Sequence, residues 1–237
     1  MSHTAAQHEA EDCVNCENRT LQMFCNLTPD ALRDFDAIGI QMNHARGAKL
    51  FLEGEAARNV VVICAGQVKI SSASRDGKTM ILKIAIPGDV LGLSAILGEV
   101  PYEVSAEAIE PCQVKTIRRQ DFLDFLGRHE IASLHAARSL SAEYLAVFQD
   151  AKRLALSGSA AGRLARLLLD WGQNVSSGKS ELRFTMALTH EEVASMAGTS
   201  RETVTRLLNQ FRRNELISIK GTALTILKPE ELERITA

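Results

Sequence analysis

From about residue 40 to residue 118 the apolar positions come in short runs cut by glycine-containing turns. VVICAGQVKI (61–70) reads as a strand, a turn and a strand. SRDGKTMILKIAI (74–86) adds a hairpin loop at Arg75–Asp76–Gly77 and a further strand, and Pro87–Gly88–Asp89 makes the next turn. Val104 to Ile117 supplies two more strand-like stretches, interrupted near Glu110–Pro111. Many short strands at even spacing predict a sandwich or a jelly-roll β-barrel. No long helical segments alternate with them, which argues against a βαβ arrangement.

The period changes after about residue 120. Asp121–Leu126 reads as a short helix and Glu130–Leu156 as a long one without Pro or Gly. Along it Leu134, Ala137, Ser141, Tyr144, Phe148, Ala151 and Ala155 recur in alternating steps of three and four, a seam able to pack against a copy of itself. Ile131, Leu140, Val147 and Leu154 form a second apolar set, expected to rest on the barrel. Packing within its own chain alone is the competing reading of this helix.

Ser157–Gly158–Ser159 breaks the pattern and is the expected hinge and domain boundary. Beyond it come a helix (Ala160–Trp171), a polar loop with a strand (Gln173–Met186), two helices and a terminal hairpin, ELISIKGTALTILKP (215–229), around Lys220–Gly221. The expected fold class is therefore α+β. It divides into an arm (1–28), a strand-rich jelly-roll domain (29–128), the long helix (129–157) and a C-terminal domain (158–237).

Within that last domain, LTHEEVASMAGTSRETVTRLLNQFRR (188–213) carries its own punctuation. Thr189 can cap a helix, with Glu192 at the reciprocal capping-box position. Gly198 ends that helix and Ser200 can cap the next. Two short helices around a tight glycine turn make a helix-turn-helix, and the hairpin after them is a plausible wing. Val204, Leu208 and Phe211 face inward, while Arg201, Glu202, Thr205 and Arg206 lie near the opposite face. Arginine donates to guanine's major-groove edge and glutamate accepts from the cytosine amino group. A solvated face held by a Glu202–Arg206 pair is the plainer reading.

A net charge of -2 excludes a generally basic nucleic-acid binder. Any DNA recognition must be local, and between Gly198 and Lys220 five Lys/Arg stand against two Glu. No apolar run reaches the roughly 18 residues of a membrane span, and MSHTAAQHEAED lacks a signal peptide's basic start and apolar core. The expected location is the cytoplasm, without a membrane partner.

Five cysteines in such a chain do not read as a disulfide framework. Cys13-x2-Cys16-x8-Cys25 plus one distant cysteine would give four ligands, and thiolates favour zinc or iron–sulfur clusters. Cys112 is the better fourth candidate, because Cys64 ends the VVIC strand and reads as a buried apolar filler. A cluster, zinc or thiol redox chemistry, and cysteines without a cofactor all remain open. The barrel region offers only His44 to a haem or a cupin-like metal enzyme. Glu53–Gly54–Glu55 and Glu99 are explained by turn and surface roles, so an enzyme is not expected.

Over nearly its whole length the chain resembles the bacterial cyclic-AMP-receptor/fumarate-nitrate-regulator (Crp/Fnr) superfamily of transcription regulators. The matching pieces are KLFLEGEAARNVVVICAGQVKI, the PGDVLG turn, the long central helix, LARLLL and the helix-turn-helix stretch. The resemblance implies a jelly-roll sensor, a dimerising helix and a winged helix-turn-helix. The homodimer would bind a two-fold-related site in double-stranded DNA and work with RNA polymerase. Arg201, Glu202 and Arg206, on the helix that opens at Ser200, would read a TGTGA-like half-site, and Thr205 departs from the small residue expected there.

The oxygen-sensing branch of that family holds a [4Fe-4S] cluster with three arm cysteines and a fourth in the barrel. Two departures stand out: the gap before Cys25 is longer, and Cys112 falls ahead of the usual fourth ligand, near the position of Lys115. Cyclic AMP is not expected, since the ribose-binding Glu and phosphate-binding Arg of that branch correspond to Leu93 and Val104, although Ser105 remains. A cofactor-free regulator answering a small effector and a non-DNA ligand-binding adaptor are the alternatives.

Overall fold

The computed structural model describes residues 12–16, 19, 24–73, 79–156, 159–175, 182–186 and 188–236, with backbone alone at 149–156 and 173–175. Ser157 and Gly158 of the expected hinge, the Arg75–Asp76–Gly77 loop and the side chain of Ala151 lie outside the described residues. The chain forms two compact units, residues 1–72 with 84–143, and residues 73–83 with 144–237.

Helix α1 (Pro29–Ile38) was not expected from the pattern, yet its start is locally encoded. Thr28 accepts a hydrogen bond from the Ala31 N–H, and Pro29 occupies a first-turn position that needs no donor. Eight strands follow: β1 (Gly39–His44), β2 (Lys49–Phe51), β3 (Asn59–Ala65), β4 (Val68–Ala73), β5 (Thr79–Ala85), β6 (Val90–Leu91), β7 (Ser105–Ala108) and β8 (Cys112–Arg118). Helix α2 (Leu93–Gly98) lies between β6 and β7. The strands make two four-stranded sheets, ordered β1–β8–β3–β6 and β2–β7–β4–β5.

These sheets are not closed into a barrel, which corrects the jelly-roll β-barrel expected from strand spacing. Closure requires edge strands to pair with each other. Here β6 has two residues and β2 three, too short to carry a ladder round the corner. The fold is α+β, but its strand-rich part is an open two-sheet arrangement.

The run Val60–Val61–Val62–Ile63 is apolar without a break because β3 is buried on both faces. Successive side chains point to opposite sides of a strand. Val61 and Ile63 join Phe51, Ile70, Ala106 and Val114 in a core built from both sheets. Val60 and Val62 join Leu32, Phe35, Phe122 and Phe125 in a second core under α1 and α3 (Arg119–Arg128).

Helix α4 (Glu130–Leu156) enters that second core through Ala132 and Ala136, with Leu140 half-buried against it. Ile131, expected to rest on the barrel, is instead 39% exposed. The alanine stripe wins because small side chains let the helix approach the aromatic layer closely.

The second unit contains α5 (Ala160–Val175), β9 (Leu182–Thr185), α6 (His190–Ala197), α7 (Arg201–Arg213), β10 (Ile217–Lys220), β11 (Ala223–Ile226) and α8 (Pro229–Ile235). Its sheet is ordered β10–β11–β9, so the terminal hairpin gains a third strand. Leu164, Leu168, Phe184, Val193, Val204, Phe211, Leu224 and Leu232 are all buried there. No helix among the described residues is long and apolar enough to cross a membrane.

Phe125 is fully buried, with its ring centroid 5.2 Å from that of Phe35. Phe125→Ala is expected to cost about 3–5 kcal/mol in urea unfolding. A loss below about 1 kcal/mol would contradict this packing.

Candidate functional site

The helix-turn-helix is built from local contacts. Thr189 Oγ1 accepts from the Glu192 N–H at 3.2 Å, and Glu192 Oε2 accepts from the Thr189 N–H at 2.9 Å. Gly198 stands at φ 59°, ψ 45°, a left-handed conformation that closes α6 without a side-chain clash. Ser200 Oγ accepts from the Thr203 N–H at 3.2 Å and so starts α7.

Val204, Leu207, Leu208 and Phe211 bury one face of α7, while Arg201, Glu202 and Arg206 are exposed. The Glu202 carboxyl is held below the usual range by a hydrogen bond with its own backbone N–H and by Ser200, so it remains an acceptor. Thr205 behaves differently from these three. Its hydroxyl donates to the Arg201 carbonyl at 2.9 Å and stands 2.8 Å from His190 Nδ1, joining α7 to the start of α6.

Two residues of this site escaped the sequence reading. His190 is one, and its contact with Thr205 spans fifteen positions. Arg163 on α5 is the other: its Nε donates to the Ala197 carbonyl at 2.8 Å and its Nη2 to the Gly198 carbonyl at 3.1 Å. No local signal marks either. The wing is the β10–β11 pair, with Gly221 at φ 61° in its turn.

In the first unit Cys13, Cys16, Cys25 and Cys64 line one cavity of about 30 Å³, walled by Phe24, Leu32, Phe35 and Val62. That is room for one or two water molecules. Lys115 Nζ, almost fully buried, donates to Cys13 Sγ at 3.0 Å and is ion-paired with Asp36. Its stem passes over Gly39, where a Cβ would stand 2.4 Å from Lys115 Cγ and Cδ.

Burial pushes the Cys25 thiol up to about 12, with the neighbouring Cys16, Cys13 and Cys64 adding to the shift. Burial likewise pushes Cys64 up to about 11. A bound cation would invert this preference for the protonated thiol. None of the five cysteines is in a disulfide. Among the described residues no three His, Cys, Asp or Glu side chains already form a group able to hold a metal ion.

The structure does not bring Cys112 to this pocket. Its side chain belongs to the core between the sheets, and its thiol donates to the Gln67 and Glu110 carbonyls, both at 3.1 Å. Cys64, read as a filler, lines the pocket instead.

Residues 41–129 match the family model of the cyclic nucleotide-binding domain, and residues 162–235 that of the Crp-like helix-turn-helix domain. The chain belongs to the Crp/Fnr superfamily of bacterial transcription regulators. It is 28% identical over 213 residues to a CRP-like cAMP-activated global transcriptional regulator of Mycobacterium tuberculosis, covering 90% of this chain and 95% of that one. It is 27% identical over 224 residues to the fumarate and nitrate reduction regulatory protein of Vibrio cholerae, covering 92% and 89%. The fold is also that of FixK2 from Bradyrhizobium japonicum, with a TM-score of 0.76 at 20% identity, covering 84% of this chain and 98% of that one. As a Crp/Fnr member the protein is a DNA-binding transcription regulator and not an enzyme.

Other positions singled out in this Crp/Fnr chain fall as follows. Leu93 is buried under the helices, and Val104 packs against the core between the sheets. Between them Tyr102, which no sequence signal marks, stacks on Phe51 at 4.1 Å and donates its hydroxyl to the Asn59 carbonyl at 2.6 Å. His44 ends the edge strand β1, half-exposed. On α4, Leu134, Ala137, Ser141, Tyr144 and Phe148 are all exposed. Ser159, the described member of the expected hinge, accepts from the Gly162 N–H at 3.0 Å.

Removing the Arg163 brace should loosen the turn before α7. Arg163→Ala is expected to destabilise the winged unit by about 1.5–3 kcal/mol, the range for hydrogen bonds from a charged group. Thermal unfolding checks it, and an unchanged midpoint would show that the two carbonyls do not depend on Arg163.

Proposed function

We propose that the protein acts as a homodimer reading a palindromic TGTGA-like site in double-stranded DNA, under redox or oxygen control through a cysteine-ligated iron–sulfur cluster. The observation that carries the DNA reading is the joint exposure of Arg201, Glu202 and Arg206 at the start of α7 while its opposite face is buried. The start of a helix also favours a phosphate through its N–H groups and dipole. RNA polymerase is the further partner that a regulator of this family implies.

The dimer reading is supported by α4, where Tyr144 is 70%, Val147 67% and Phe148 56% exposed. Large apolar side chains displayed along one helix favour pairing with a second copy.

For the cluster, the chemistry of the donor set fits. Four thiols ring one pocket, and soft thiolates select iron–sulfur clusters or zinc. A single zinc needs all its ligands at about 2.3 Å from one point, a convergence not found among the described residues. A [4Fe-4S] cluster spreads its four thiolates over a larger body. Cys13, Cys16 and Cys25 would hold it from the arm, with one thiol from the sheet. When bound, such a cluster supplies a redox-active centre. The chain supplies a dry wall in Phe24, Leu32, Phe35 and Val62, and a positive charge in Lys115. The pocket is smaller than such a cluster, so the arm would have to give way, and none of Cys13, Cys16 and Cys25 stands in a helix or strand. Cyclic AMP is not the effector of this reading, because residues 88–108 contain no Lys or Arg to meet a phosphate.

Arg201→Ala and Arg206→Ala are each expected to lose about 1–3 kcal/mol of discrimination between a TGTGA palindrome and a scrambled duplex. Fluorescence anisotropy at fixed salt measures it, and undiminished discrimination in both would refute the base-reading assignment. Tyr144→Glu with Phe148→Glu should convert dimer to monomer in sedimentation velocity; a native dimer in the double variant would rule out this seam. Protein purified without oxygen should be coloured and hold iron and sulfide in equal amounts, and a colourless, iron-free product would remove the cluster from the reading.

A further inference from the structure

The pocket contains a sheet cysteine in an unforeseen place. Positions 60, 62 and 64 of β3 share one face, and Val60 and Val62 show that this face looks toward the helices rather than between the sheets. On the neighbouring strand β8, Lys115 pairs with Val62 in register and looks the same way. The pairing shifts register between Ile63 and Ala65, so Cys64 sits at an irregularity of the ladder. Cys64 nevertheless keeps the side of Val62, since both line the pocket. Cys112 and Val114, two residues apart on β8, take the opposite face and fill the core between the sheets. The thiol of Cys112 is further engaged by the Gln67 and Glu110 carbonyls.

From this partition we infer that Cys64, and not Cys112, is the sheet-borne fourth thiolate of the centre held by Cys13, Cys16 and Cys25, with Lys115 as its outer-shell cation. The inference rests on the metal-centre reading above and specifies its ligands. Lys115 fills the place on β8 from which a side chain would reach the arm, and the sulfur moves one strand over, to β3. Each ligating thiol gives its proton to solvent and keeps its electron pair for the metal–sulfur bond. The ammonium of Lys115, already donating to Cys13 Sγ and paired with Asp36, offsets part of the negative charge that four thiolates bring together. Gly39 leaves the gap through which the lysine stem reaches that position.

The test compares full-length wild type, Cys64→Ser, Cys64→Ala and Cys112→Ser, all expressed and purified without oxygen. Iron, acid-labile sulfide and zinc are measured per chain, with visible absorbance and thermal unfolding. Loss of an outer-shell partner alone lowers metal affinity about 10–100-fold, so both Cys64 variants should retain less than about a tenth of the wild-type metal. Cys112→Ser should retain it in full. Wild-type metal content in a folded Cys64 variant, or its loss from a folded Cys112→Ser, overturns the assignment while leaving the metal-centre reading standing. Wild type carrying neither iron nor zinc overturns both. Zinc in place of iron overturns the cluster alone, and Cys64 is then judged by whether its variants lose zinc. If neither Cys64 variant folds, full metal content in Cys112→Ser supports Cys64 as the remaining sheet thiol, and its loss there refutes it.

Discussion

The alternation of side chains along β3 and β8 organises the first unit. These central strands have two dry faces, and each residue's parity decides which it serves. One face builds the core between the sheets from Val61, Ile63, Cys112 and Val114. The other receives α1, α3, the start of α4 and the cysteine pocket through Val60, Val62 and Ile117. A register slip of one residue would exchange the two sets and put the Lys115 ammonium into the core between the sheets. Its pairing with Asp36 is therefore a fixed consequence of where β8 lies against β3. Burial alone would lower the Lys115 pKa, yet Asp36 and Cys13 outweigh it and hold the group charged.

In the second unit the same economy appears on a helix. Apolar residues of α7 at positions 204, 207, 208 and 211 keep the usual three- and four-residue steps, which leaves 202 and 206 on the far side and 201 exposed at the helix start. The chain's overall charge is slightly negative, while this one helix carries Arg201, Arg206, Arg212 and Arg213.

What could be read from the sequence followed from how local each signal is. The caps at Thr189 and Ser200 and the turn at Gly198 each involve residues within four positions, and the sequence shows them directly. Thr28–Pro29 and Pro229–Glu230–Glu231 carry equally local signals for α1 and α8, but the pattern reading passed over both. Barrel closure was misjudged because strand spacing says nothing about whether short edge strands such as β2 and β6 pair. Ile131 stays exposed because the stripe that packs is Ala132–Ala136, whose small size hides it from a search for large apolar residues. The placing of Cys64 and Cys112 depends on how β3 and β8 pair and which face each presents to the helices, which is not written in the spacing of cysteines. Arg163 and His190 act across long separations and leave no local trace.

The grip of Arg163 on the Ala197 and Gly198 carbonyls bears on the entropy of recognition. These carbonyls close the first helix and lead into the second, and α5 holds both. The angle between the two helices is thus set before DNA arrives, and little backbone freedom remains to be lost on docking. The long side chains of Arg201 and Arg206 stand exposed near the helix start and are not held by that frame. If those two arginines read bases as proposed, ordering them, rather than assembling the surface that presents them, is what binding would cost.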